Sequence, residues 1–253
     1  MNMLQIATAA TAVTLLLSPG FSFARASAPA QADDRAVRQA KALELAQLVE
    51  PRESVDGGGK LEAQYVKGLL ALQEVAELEA EHPGIVKAMW RAIAPEIERD
   101  FKTQLPEHWA KLADIYSSGM TLQQIDHAVG FMGGPTGRKM VRLMNEGLAA
   151  PSIGLAAEAA GSDISASGFA KAKVEAAETM ARGLTEDEQK QVVAFGASPA
   201  GKALLSLGPQ VQQASLEWMN KSDPETDARL EALMTKAIEN FVAADGRKVK
   251  AKR

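Results

Sequence analysis

The segment Gly196–Lys202 (GASPAGK) spaces two glycines and a lysine as a phosphate-binding loop does. That chemistry needs a strand feeding the loop, so that its N–H groups converge, and a Ser or Thr after the lysine to hold magnesium. Here a helical pattern precedes the loop and Ala203 follows it, so the segment reads as a helix cap and no cofactor is implied. The histidines are His82, His108 and His127, and no two of them stand three or four residues apart. That spacing is what places two metal ligands on one helix face. All three are expected at the surface: His82 before a turn proline, His108 beside Trp109 at a helix start, His127 beside Asp126 on a short helix. No metal ligand set and no catalytic residue is assigned. Arg138 and Lys202, each near the start of a helix, are the anion or partner-contact candidates. They could hold an anion beside free N–H groups. The preferred alternative pairs each with a carboxylate on the preceding helix, as exposed residues commonly do.

Charge and composition narrow the classes further. A net charge of −4 gives no footprint for a nucleic-acid partner. The absence of cysteine excludes disulfides, zinc thiolate sites and a thiol nucleophile. The basic residues Arg247, Lys248, Lys250, Lys252 and Arg253 could touch an anionic membrane face or envelope polymer. The alternative is a solvated, disordered tail.

The elements that must position these residues are organised around a duplication. Gly119–Met140 recurs 64 residues later as Gly183–Leu204, with six identities: Gly119/Gly183, Thr121/Thr185, Val129/Val193, Phe131/Phe195, Pro135/Pro199 and Gly137/Gly201. Thr121 with Gln124, and Thr185 with Glu188, have the spacing of capping boxes, in which side chain and backbone satisfy each other reciprocally. Gly119 and Gly183 fit left-handed caps closing the helices before them. Pro135 and Pro199 fit the first turn of the next helix. Gly137 and Gly201 lie inside that turn at a cost of about 1 kcal/mol relative to Ala, which fits a backbone passing close by. Upstream, Leu105–Ser118 aligns more weakly with Phe169–Arg182.

The rest is helical as well. Apolar spacing predicts helices over Ala36–Val49, Leu61–Glu81, Ile85–Phe101, Leu105–Tyr116 and Glu225–Phe241, with Ser54–Gly59 and Gly161–Gly168 as connections. The expected fold is all-α, a multi-helix bundle with an internal helix–corner–helix duplication. Its expected divisions are 1–26, 33–104, 105–160, 169–222 and 223–253. The first is a secretory signal peptide: Ile6–Leu17 is an apolar run too short for a membrane span, followed by Ser18-Pro19-Gly20 and small-x-small cleavage sites. The mature chain is expected to start near Ser27 or Asp33, in the periplasm.

The repeated pattern resembles the DUF2059 family of exported bacterial helical proteins. FGASPAGKAL at Phe195–Leu204 carries it best; LADIYSSGMT at Leu112–Thr121 and FMGGPTGRKM at Phe131–Met140 carry it in the first copy. The resemblance implies two tandem copies over roughly Leu105 to Met219, a fold and a compartment, with no catalytic residues to transfer. Function is therefore expected to be a non-catalytic binding or envelope-associated module, taking a partner protein or apolar ligand between the copies. The alternative is a hydrolase whose polar site is assembled from distant helices.

Overall fold

The structure, a computed structural model, describes residues 32–51, 73–159, 165–221 and 223–251, together with positions 62, 66, 69 and 70. The expected signal peptide and the Ser54–Gly59 connection lie outside the described residues. Among the described residues there are nine helices and no strand, as composition predicts. We number them α1 (Ala32–Val49), α2 (Gln73–Glu81), α3 (Ile85–Gly119), α4 (Leu122–Met132), α5 (Pro135–Ala159), α6 (Ala166–Gly183), α7 (Glu186–Ala197), α8 (Pro199–Met219) and α9 (Pro224–Ala251). No helix among the described residues is long and apolar enough to cross a membrane.

Three expectations are corrected. The separate helices over Ile85–Phe101 and Leu105–Tyr116 are one 35-residue helix, α3, that carries Pro95 and Pro106 in its interior. An interior proline removes a hydrogen bond and strains the turn before it; α1, α8 and α9 all pack along α3 and hold it continuous. The Gly161–Gly168 connection is shorter than expected, because Ser165 caps α6 by accepting from the Gly168 N–H at 3.0 Å. The basic C-terminal run continues α9 through Ala251 and is not a coil.

Between α2 and α3 the chain turns at Gly84, whose φ of 96° is open to glycine at little cost. The Glu79 carboxylate then caps α3, accepting from the N–H groups of Gly84 at 2.6 Å and Val86 at 3.0 Å.

The duplication is a structural one. Leu105, His108, Leu112, Ala113, Tyr116 and Met120 are all buried, and so are their counterparts 64 residues on: Phe169, Ala172, Ala176, Ala177, Met180 and Leu184. Both capping boxes form. Gln124 N–H donates to Thr121 and Thr121 N–H to Gln124; Glu188 and Thr185 repeat the arrangement. Pro199 opens α8 behind the Ser198 cap, and Pro135 opens α5.

The two halves interlock. The end of α3 packs on α8, and α6 packs on α5, so each repeat lends a helix to the other. A Cβ on Gly119 would lie 2.5 Å from Leu207, and one on Gly183 would lie 2.7 Å from Leu143. Leu143 and Leu207 are themselves counterparts. Phe131 stacks on its own counterpart Phe195, with centroids 4.1 Å apart and rings within 2° of parallel. A residue meeting its equivalent, with the glycine–leucine contact made once in each direction, is what a local twofold axis produces. The capping boxes cross that axis too: Gln124 donates to Pro199 O at 3.3 Å, and Glu188 meets Lys139 at 2.6 Å.

This geometry also corrects the reading of the corner glycines. Gly119 and Gly183 do not take left-handed caps, since Gly84 is the sole positive-φ residue among the described residues. They are glycine because a leucine of the other repeat fills the space of their side chain. Gly137 and Gly201 fit the expectation of a close backbone: a Cβ on either would fall within 3.0 Å of the carbonyl oxygen of Phe131 or Phe195.

The interior between the halves is filled by their own side chains together with Ala42, Leu45 and Ala46 of α1. Fully burying a leucine such as Leu45 or Leu112 contributes about 1.5–3 kcal/mol.

Candidate functional site

Two places stand out, one polar and one apolar. The polar one centres on His108, which is 2% exposed and not at the surface as its neighbours in sequence suggest. It occupies the register of Leu105, Leu112 and Tyr116 on the buried stripe of α3, where the second copy has Ala172. That periodicity is present in the sequence, where His108 stands three residues after Leu105 and four before Leu112.

Around the imidazole the side chains come from three helices. Nε2 lies 2.6 Å from Glu50 Oε2, at the end of α1, without the alignment of a hydrogen bond. Neither ring nitrogen, nor Trp218 Nε1, has a hydrogen-bond partner among the described residues. The ring stacks on Trp218 of α8 at 4.5 Å and 11°. Glu50 is held from elsewhere: its carbonyl accepts from Trp109 Nε1 at 2.8 Å, and Oε1 accepts from Ser215 Oγ at 3.4 Å. Ser215 also donates to Val211 O at the better distance of 3.0 Å.

The carboxylate is felt further out. Burial holds the Lys173 ammonium below the ordinary lysine range, with Glu50 opposing the shift. Burial, reinforced by the Glu50 charge, pushes the Tyr116 hydroxyl well above its usual range. Chemically the set lacks a nucleophile-and-base contact, which covalent catalysis requires. Ser215 points at a carboxylate and a carbonyl, not at the imidazole, and the His108 side chain has no exposed surface.

The other sequence candidates lie apart from this node. His127 is exposed and sets its ring edge-on to Phe195 at 5.8 Å, and His82 is half-buried at the α2–α3 turn. Arg138 and Lys202 are exposed at the starts of α5 and α8, and neither makes an ion pair among the described residues. Beside Arg138, Lys139 pairs with Glu188 on α7 of the other repeat. Lys139, and after it the Thr185 N–H, hold the Glu188 carboxyl below its ordinary 4.5. The Gly201 N–H donates to Ser198 Oγ, so this N–H beside Lys202 is already satisfied.

The apolar place is a groove of about 560 Å³ between the first half of α3 and α9. The helices run antiparallel, since Arg229 meets Glu96 at 2.8 Å while Phe241 packs at Gly84. Asp223 caps α9 through Thr226 Oγ1 at 2.7 Å and the Glu225 N–H at 3.2 Å. Ala88 and Ala92 on α3 face Leu233, Ala237, Phe241 and Ala244 on α9, and Lys236 and Asn240 form the polar edge. Alanine at four of these eight positions keeps the floor open. The groove falls within the size range of small-molecule sites, which are mostly apolar with a few placed polar groups.

A family model described as an uncharacterized protein conserved in bacteria (DUF2059) matches residues 170–222. The match spans most of α6, all of α7 and all of α8, which is the second repeat. No curated protein and no solved structure matches the chain.

Proposed function

We propose that this protein is an exported, periplasmic, non-catalytic module that takes an apolar ligand or partner segment in the groove between α3 and α9. The groove carries the reading: an apolar trough with a polar edge, placed where the chain departs from its own repeat. The apolar run Ile6–Leu17, with the small-residue sites after it, supports export. The matched family, whose printed description assigns no activity, is compatible with this. Residues 105–160 are, on this reading, a second copy of the family's unit, supported by the six buried counterparts and the reciprocal glycine contacts.

The hydrolase reading has one observation in its favour, the convergence of Glu50, His108 and Ser215 from three helices. It is the weaker reading because the serine does not meet the imidazole and the imidazole is sealed from solvent.

Two measurements test the proposal. Intact mass of protein from the periplasmic fraction should give a chain beginning near Ser27 or Asp33; cytosolic protein retaining Met1 overturns export. The neutral apolar dye N-phenyl-1-naphthylamine should brighten on the wild-type protein and much less on Ala92→Phe, which fills the groove. Equal brightening on both overturns the groove as the binding place.

A further inference from the structure

We propose that the α3–α9 groove takes one acyl chain of an anionic phospholipid, so that α9 is a lipid-contacting arm. The inference rests on the binding reading above and adds the chemistry of what is bound.

Length is the first observation. The α9 lining runs from Leu233 to Ala244, eleven helical steps, which at the helical rise is about 16 Å. Half the hydrocarbon thickness of a bilayer is about 15 Å, so the trough accommodates one acyl chain lengthwise.

Charge is the second. α9 is acidic in its first turn, with Glu225 and Asp227, and basic at its far end, where Arg247, Lys248 and Lys250 follow Ala244 on the same helix. The basic stretch therefore follows the apolar trough along the helix, with Asp245 and Gly246 between them. Lys236, on the trough's edge, is exposed and has no ion pair among the described residues. An apolar trough followed on the same helix by a cationic stretch complements a molecule with one apolar chain and one anionic head. A lysine on such an edge lays its aliphatic stem along the hydrocarbon and keeps its charge in water.

Position is the third. The apolar side of α9 packs mainly on α3, and beyond Thr226 none of its residues with a described side chain is fully buried. Leu233 and Phe241 are half-buried at the trough, and Val242 beside them is 36% exposed. That leaves apolar surface at the trough for a lipid chain to cover.

The test is flotation of the cell-purified protein with vesicles. Wild-type protein is expected to float with phosphatidylglycerol–phosphatidylcholine vesicles and to stay behind with phosphatidylcholine alone. Ala92→Phe leaves the basic run intact and should lower the partition roughly tenfold, the effect of excluding two methylenes from the trough. Ala237→Leu fills the same trough from α9 and serves if the first variant does not fold by circular dichroism. Unchanged flotation of a folded trough-filled variant overturns the proposal, because the basic run alone then explains adhesion. Binding to phosphatidylcholine alone overturns the anionic head. A concentration-dependent dimer that Ala92→Phe abolishes assigns the trough to a second copy and also overturns it. Dye binding in the trough without flotation sinks the lipid inference while the binding reading stands.

Discussion

Changing Gly119 to alanine tests the interlock of the repeats more directly than any other substitution. The new Cβ would lie 2.5 and 2.9 Å from the two methyls of Leu207, where ordinary contact begins near 3.4 Å. Leu207 must withdraw by close to 1 Å, an overpacking that costs about 1–3 kcal/mol. Replacing a helical glycine recovers about 1 kcal/mol, so the net loss is about 0–2 kcal/mol. Leu207→Ala alone opens a cavity at a nearly buried position and costs about 2–5 kcal/mol. Combined, the added methyl enters the vacated space, and the double variant should be more stable than the sum by about 1–2 kcal/mol.

The counterpart pair, Gly183→Ala with Leu143→Ala, should couple with the same sign. The crossed pair, Gly119→Ala with Leu143→Ala, should add within about 0.5 kcal/mol. Gly137→Ala should cost more than Gly119→Ala, and no leucine trim should rescue it, because its obstacle is the Phe131 carbonyl and the Met132 Cα at 2.6 Å. Equilibrium urea unfolding followed by circular dichroism reads all of these. Additive behaviour within both matched pairs, or equal coupling in the crossed pair, would refute the interlock.

Two further outcomes follow from the polar contacts. His108→Phe keeps the stack on Trp218 and removes two buried nitrogens that lack an aligned hydrogen bond, each costing about 1–3 kcal/mol, at the loss of the Nε2–Glu50 contact, so its melting temperature should equal or exceed wild type. His108→Ala should lose about 3 kcal/mol to the cavity; a large loss in the Phe variant as well would show that the Glu50 contact is net stabilising. For Glu188 the folded carboxyl titrates below 4.5, so its stabilisation is complete above that pH and disappears as pH falls through the lower folded value. Thermal melts from pH 6 to pH 2.5 should therefore show a smaller acid-induced loss in Glu188→Gln than in wild type, and an equal loss would contradict the Lys139 contact.

What the sequence made legible was whatever depends on neighbours within one turn or two. Thr121 and Thr185 announce their boxes through the residue three positions on, and Pro199 announces a helix start through Ser198. The 64-residue identity exposed the duplication, and apolar spacing exposed the helices. What it concealed depends on partners far along the chain. Gly119 and Gly183 looked like caps because glycine at a helix end usually is one; the leucines that demand them lie 88 and 40 residues away. His108 looked polar and superficial because its stacking partner is Trp218 and its acidic neighbour is Glu50. Pro95 and Pro106 looked like boundaries because the packing that keeps α3 whole comes from α1, α8 and α9.

The twofold arrangement also constrains where function can sit. In an isologous pairing the same residues face each other from both sides, so whatever one copy offers at the axis the other fills. Phe131 and Phe195 do this with their rings, and Gly119 and Gly183 with their missing side chains. The repeated residues are consequently consumed by folding, which is why the six identities include no acid, base or metal ligand. The first half of α3 and α9 have no counterpart in the other repeat and flank the interlocked pair. The groove lies between these two segments, outside the repeated pairing. A substitution at Ala92 or Ala237 should therefore alter binding with little effect on the repeat core, whereas one at Gly119 or Gly183 should alter stability with little effect on the groove.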